Sequence, residues 1–192
     1  MSAPQTAITN QMTKVITGKV RFSYVFVFTP RAPSPGQDPK YSVRLLIPKS
    51  DRETLHKIKA AIEAAKQQGL KLWGGKLPAG LKSPVRDGDE EFPDQPEYAG
   101  HYFVNASSKQ KPGLVDRFKS PIEDSTDLYS GCYGRASLNF FPFNQAGNRG
   151  IGCGLNHLQK LADGDYLGGR SRAEDDFDDD FLADESDDSF LL

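Results

Sequence analysis

Three stretches of this chain alternate apolar and polar side chains one residue at a time, a period that suits strands and does not suit helices. Over Lys14 to Phe28, Val20, Phe22, Tyr24, Phe26 and Phe28 share one face, and Lys19, Arg21 and Ser23 the other. Val25 and Val27 predict that the second half of this strand is buried on both sides. Over Lys40 to Ile47, Tyr41, Val43, Leu45 and Ile47 oppose Lys40, Ser42 and Arg44, so the outer face is basic. Between the two, Thr29 to Pro39 holds four prolines and a glycine, which no regular element tolerates, and reads as a loop. The third stretch, Tyr129 to Phe141, places Cys132, Gly134, Ala136, Leu138 and Phe140 inward and Tyr133, Arg135, Ser137, Asn139 and Phe141 outward. Shorter strand character recurs at His101 to Ala106, Gly113 to Val115 and Gly150 to Leu155.

One segment changes period. From Ser50 to Gly69, Leu55, Ile58, Ile62 and Ala65 fall on a helical stripe, Ser50 with Glu53 forms a capping box, and Gly69 supplies a stop. Leu70 to Pro96 is rich in Gly, Pro and charge and predicts a long insertion or functional loop without a clear element. About five strands, one amphipathic helix and long loops suit a mainly β chain closed into a small barrel better than an alternating α/β sheet. The domain is expected over residues 14–167, with a flexible N-terminus over 1–13 and an acidic tail over 168–192. That tail is too poor in apolar surface to offset its ordering entropy, so it is expected to be disordered.

Charge separates the same two parts. All 24 Lys and Arg lie at or before Arg172, whereas 10 of the 26 acids follow it, so the body carries +8 and the tail −10. Such a body attracts polyanions, and such a tail can compete with them. No apolar run approaches the roughly 20 residues needed to span a bilayer, and the N-terminus does not read as a signal peptide. A soluble, cytoplasmic protein is expected, with Cys132 and Cys153 reduced and acting as small core residues.

The outward row on Tyr129 to Phe141 carries the sharpest chemical signal. Tyr133 and Phe141 offer flat faces to unstacked bases, worth about 1–3 kcal/mol each, and Arg135 between them offers a guanidinium. Lys19, Arg21, Lys40 and Arg44 add phosphate contacts from the first two strands. Trp73, between Lys71 and the Gly74-Gly75 pair, is a further stacking candidate on a loop, against the alternative of a core anchor. The tail ends in Asp187, Asp188, Ser189, Phe190, Leu191 and Leu192. An apolar tip beside a terminal carboxylate suits a partner's pocket with a basic rim, while the acids upstream can mimic nucleic acid in the body's own groove.

Enzymatic readings are weaker. Asp87, Asp89, Glu90, Glu91 and Asp94 form a carboxylate cluster that Mg²⁺ and a nuclease would need, but they lie in a Gly/Pro loop without rigid support. Cys132, Cys153, His101 and His157 lack the spacing of a zinc knuckle, and Gly150 to Gly154 is no phosphate-binding loop. No cofactor, metal or catalytic residue is expected. A protein-interaction hub without nucleic-acid binding is the remaining rival.

Several blocks taken together resemble a family of bacteriophage single-stranded DNA-binding proteins. They are Thr17-Gly-Lys-Val-Arg-Phe-Ser-Tyr24, Lys40 through Asp51, Tyr98-Ala-Gly-His101, Tyr129-Ser-Gly131, Gly147-Asn-Arg-Gly-Ile151 and Gly154-Leu-Asn156. The resemblance runs from about residue 14 to Gly169 and implies an oligonucleotide/oligosaccharide-binding (OB) fold of five strands. It also implies a non-enzymatic role in phage DNA replication, recombination or repair, in the host cytoplasm. The tail resembles those of bacterial and T7-like phage single-strand binders. The implied partners are single-stranded DNA, duplex DNA or RNA more weakly, and replication or recombination proteins reached through the tail. A homo-oligomer is left open and no membrane partner is expected.

Overall fold

The computed structural model describes residues 12–168; the expectations for residues 1–11, for the acidic run and for the tail tip lie outside the described residues. The first alternating stretch is divided. Strand β1, Lys14–Ile16, stops at Thr17, and β2, Val20–Arg31, begins after Lys19. The break is built rather than loose: the buried Thr17 hydroxyl accepts from Ala136 N–H at 3.0 Å and donates to the Gly18 carbonyl at 2.8 Å. A Cβ on Gly18 would lie 2.7 Å from the Asp51 carboxylate, so only glycine lets the chain approach the helix start this closely.

A bulge then reverses the alternation within β2. Ser23 pairs with Arg44 of β3 (Lys40–Pro48), but the next pair is Phe26 with Ser42, leaving an extra residue on β2. Tyr24, at φ 47°, occupies the left-handed region. Val20 and Phe22 point into the core before the bulge and Val27 after it, while Tyr24 and Phe26 are turned outward. This corrects the expectation that Tyr24 and Phe26 share the inner face with Phe22, because strict alternation cannot register one inserted residue.

Helix α1, Arg52–Gly69, buries Ile58, Ala61 and Ala65 and packs on β1 and on the two long C-terminal strands, Tyr133–Gln145 and Asn148–Ala162. Its N-cap is Asp51 rather than Ser50: the carboxylate accepts from Thr54 N–H at 3.1 Å and from the Thr54 hydroxyl at 2.6 Å. Gly18 N–H donates to that same hydroxyl, which ties the strand break to the helix start. Gly69 is not a left-handed stop. A Cβ there would meet Trp73 at 2.6 Å and Pro142 at 2.7 Å, so its role is close packing.

The insertion expected to lack elements is ordered along the sheet. It forms β4 (Val85–Asp87), the short helix α2 (Gly88–Glu91) and a 3₁₀ turn at Pro96–Tyr98. Strands β5 (His101–Ser108), β6 (Gly113–Val115), β7 (Tyr133–Gln145) and β8 (Asn148–Ala162) follow. The pairings return on themselves as β2–β3–β5–β8–β7–β2, with β4 added to β5, β1 to β7 and β6 to β8. The ring closes through a parallel bridge, Ser107 to Gly154, whereas its other contacts are antiparallel. Inside lie Phe22, Leu45, Ile47, Val104, Leu138 and Phe140. All five residues predicted inward on the third alternating stretch are buried, Cys132 just before β7 and Gly134, Ala136, Leu138 and Phe140 on it. Burial in this apolar interior pushes the thiols of Cys132 and Cys153 up, as fits small core residues.

Candidate nucleic-acid interface

The outer face of β2, β3 and β5 carries an aromatic and basic surface centred on Arg44. Because the bulge sets Tyr24 outward, its ring, 55% exposed, lies 4.8 Å from the Arg44 guanidinium carbon. The ring of Phe103 lies 4.7 Å from the same carbon and that of Phe92 5.5 Å. Arg44 Nε donates to Asn105 Oδ1 at 2.8 Å and Nη1 donates to the Tyr98 hydroxyl at 2.7 Å. A guanidinium fixed at both ends and sandwiched by rings loses little freedom on meeting a phosphate or a base.

The insertion builds the wall of this surface. Phe92 stacks on Tyr98 at 4.4 Å between ring centres, and Tyr98 meets Phe103 edge-on at 5.4 Å. Lys49, at the end of β3, holds the insertion in place by donating to Asp87 at 2.8 Å and to Asp89 at 2.8 Å. Those hydrogen bonds hold both carboxyls below the usual carboxylate range and push the Lys49 ammonium up. Burial raises the Tyr98 hydroxyl, and the bond from Arg44 opposes that rise.

Next to Arg44 opens a cleft of about 430 Å³ between Phe26, Arg31, Lys40, Ser42, Asn105 and Ser107, with no carboxylate in its lining. The Arg31 guanidinium lies 4.8 Å from the centre of the Phe26 ring. Of the residues proposed from sequence, Lys40 and Arg44 belong here. Tyr24, Phe26 and Arg31 were missed, as was the half-buried Phe92, which the buried Tyr98 and Phe103 support from beneath, since a bulge and an ordered insertion leave no periodic signal.

The other proposed residues lie elsewhere. Tyr133 sits at the seam of β7 and β2, with Lys19 Nζ 5.1 Å and the Arg21 guanidinium 5.3 Å from its ring centre. Arg21 donates to the carbonyls of Gly131 (3.1 Å) and Asp165 (2.8 Å), so its guanidinium fastens the chain that leaves β8. That strap passes close over Tyr133: a Cβ on Gly164 would lie 2.6 Å from the ring. It is held again by Leu167 N–H on the Ser130 carbonyl at 2.8 Å, and Leu167 packs on Leu46, Tyr98 and Phe103. The strap thus brings Leu167 to the edge of the Arg44 surface.

Arg135, which donates to the Thr17 carbonyl at 3.1 Å, and Phe141, 41% exposed, lie on the β7–β8 side of the ring. Trp73 is corrected. It is 7% exposed and its indole N–H donates to the Phe143 carbonyl at 3.1 Å, so it anchors the core beneath the helix end and has no free face for a base. Three of the five carboxylates considered for a metal are engaged otherwise, Asp87 and Asp89 by Lys49 and Glu91 by Arg86. Among the described residues no group of three or more His, Cys, Asp and Glu could hold a metal ion, and no helix is long and apolar enough to cross a membrane.

Comparison with known proteins bears on the family and the fold. The family described as Enterobacter phage Enc34, ssDNA-binding protein, matches residues 13–191, and the chain belongs to that family. Protein p50 of Acyrthosiphon pisum secondary endosymbiont phage 1 is 32% identical over 183 residues, covering 90% of this chain and 96% of the relative. Among solved structures, the single-stranded DNA-binding protein from bacteriophage Enc34 in complex with ssDNA superposes with a TM-score of 0.74 at 25% identity, covering 81% of this chain and 90% of that one. The fold is shared more distantly with gp2.5, a single-stranded DNA binding protein encoded by bacteriophage T7 (TM-score 0.58, 16% identity, 93% and 97% covered). The family and its structural neighbours are phage single-stranded DNA binders, and an OB fold is consistent with the five-strand ring.

Proposed function

We propose that this chain binds single-stranded DNA without sequence preference across the face of β2, β3 and β5. The observation that carries this reading is the carboxylate-free cleft beside Arg44, where Phe26 and Tyr24 offer rings and Arg31, Lys40 and Arg44 offer charge. Stacking serves every base and charge serves every phosphate, so tolerance of sequence follows from the chemistry. The role is to coat and protect exposed strands during phage replication, recombination or repair in the host cytoplasm. Duplex DNA and RNA bind more weakly, because neither a rigid duplex nor a 2′-hydroxyl finds a dedicated site.

In the same reading the acidic tail competes with DNA for this face and, once displaced, offers Phe190, Leu191 and Leu192 to replication or recombination proteins. What supports the competition is the strap, which brings residue 168 to the edge of the basic surface, together with the −10 charge that follows Arg172. The test is single-stranded DNA affinity, at low and moderate salt, for the full chain and for a chain ending at Arg172. Salt-sensitive binding that tightens on truncation is expected. Binding by neither form, even at low salt, sinks the reading.

A further inference from the structure

A second carboxylate-free trough runs along the outside of β7 and β8, and at Ser108 it comes next to the front cleft, which Ser107 lines. It consists of two clefts that share His157. One is bounded by Ile16, Lys119, Arg135 and Gln159, and the other by Lys14, Lys111, Asn139 and Asn156. Neither lining contains an acid, and Lys14, Lys111, Lys119 and Arg135 form no ion pair with any described residue. From Arg135 to Asn139 the floor spans four strand residues, about 13 Å at the usual rise. Side-chain amides and the His157 imidazole, whose Nδ1 accepts from Gly113 N–H, supply hydrogen-bonding groups along it.

Exposed rings stand at both ends. Phe118, 79% exposed, projects from an arch between Arg117 and Lys119. The arch is rigid: Asp116 Oδ1 accepts from the N–H groups of Phe118 (2.8 Å) and Ser120 (2.9 Å), and Val115 bridges back to Pro121. Gln159 of β8 pins it by donating to the Asp116 carbonyl at 3.3 Å. At the opposite end Phe141 fills the space over Gly152, where a Cβ would meet its ring at 2.5 Å. An apolar protein surface would have no use for four unpaired cations, and a purely solvated face would not fix its most exposed ring on a braced arch.

We infer that this trough is a second track for single-stranded DNA, engaged only when the bound strand is longer than the front cleft requires. The inference rests on the reading of the front face as a single-strand site. Phosphates lie against Lys14, Lys111, Lys119 and Arg135, and Phe118 and Phe141 stack bases at the two ends.

The test uses the full chain and two oligothymidylates, one of about 8 and one of about 30 nucleotides, bracketing the site of a single fold of this kind. Affinity is measured against salt for the native chain, for Lys14→Gln/Lys119→Gln/Arg135→Gln and for Phe118→Ala. The triple variant is expected to leave short-oligomer affinity within about twofold of native. For the long oligomer its salt slope falls by about 2, at roughly 0.7 per lost phosphate contact. Phe118→Ala, a fully surface change that cannot unfold the ring, weakens only the long oligomer, by about fivefold or more. An unchanged long-oligomer slope and unchanged affinity for Phe118→Ala overturn the second track. Equal weakening of both oligomers overturns it too, since the trough would then be the primary site. Failure of the native chain to bind either oligomer overturns the front-face reading instead.

Discussion

The two outer faces of the ring were made by different means. On β7 the row of Tyr133, Arg135, Ser137, Asn139 and Phe141 follows from alternation in the sequence, and each inward neighbour on the strand is buried, although Ser137 of the outward row is buried too and the pairing with β8 shifts register beside it. On β2 and β3 the proposed binding surface depends on an interruption: a residue inserted at Tyr24 reverses the strand, and a segment nearly fifty residues further along supplies the wall that clasps Arg44. Regular pattern marks where a face exists, whereas irregularity concentrates rings and charge on it. Tyr24 illustrates the cost. A non-glycine residue in the left-handed region is disfavoured by about 1–3 kcal/mol, and here the Arg44 stack and the flanking pairs hold it in place.

The largest expected effect separates the two faces directly. Tyr24→Ala with Phe26→Ala removes both front rings, each worth about 1–3 kcal/mol to a stacked base, so short-oligomer affinity falls by a factor of about thirty or more. Phe141→Ala, on the other side, leaves the short oligomer unaffected. Should Phe141→Ala weaken the short oligomer as much as the double front variant does, the assignment of front and back is reversed. Anisotropy titrations with unfolding midpoints recorded in parallel decide it.

An intermediate effect comes from acid, through the contact that fastens the wall. Asp87 and Asp89 titrate below their unfolded values because Lys49 hydrogen-bonds them. Their contribution to stability is therefore complete above the unfolded carboxylate range, near pH 4, and is lost as pH falls through the lower folded values. Lys49 is raised, so its contribution is complete below the unfolded lysine range and disappears only in strong alkali. Asp87→Asn with Asp89→Asn is expected to loosen the wall at pH 7, weakening oligothymidylate binding by a few-fold. It should also flatten the loss of thermal stability between about pH 5 and 3 relative to the native chain. Parallel pH curves for the two proteins would show that the ion pairs do not hold the wall.

The sequence made the strands, the helix and the charge division legible because each depends on a local period or on composition. Lys40 and Arg44 were legible for the same reason, lying on the polar side of a regular strand. The break at Thr17, the cap at Asp51 and the ring closure at Ser107 are set by contacts between residues far apart in the chain, as when Gly18 N–H meets Thr54. Arg21 shows the limit most plainly. A basic residue on an outer face reads as a phosphate contact, yet its Nε and one terminal nitrogen also donate to the carbonyls of Gly131 and Asp165, a fastening that only the path of the strap could reveal.

The smallest expected effect on DNA belongs to Trp73, the protein's single tryptophan, and it tests whether the core stays apart from both faces. A mobile stacking residue would be quenched by a bound base. Packed against Gly69 and bonded to the Phe143 carbonyl, Trp73 should instead keep a blue-shifted emission that saturating oligothymidylate leaves unchanged. Trp73→Phe should lower unfolding stability by about 1–3 kcal/mol, through lost packing and an unsatisfied carbonyl, with DNA affinity within twofold of native. Strong quenching on binding would mean that the helix end opens when DNA arrives. The front and back surfaces would then be coupled through the core rather than independent.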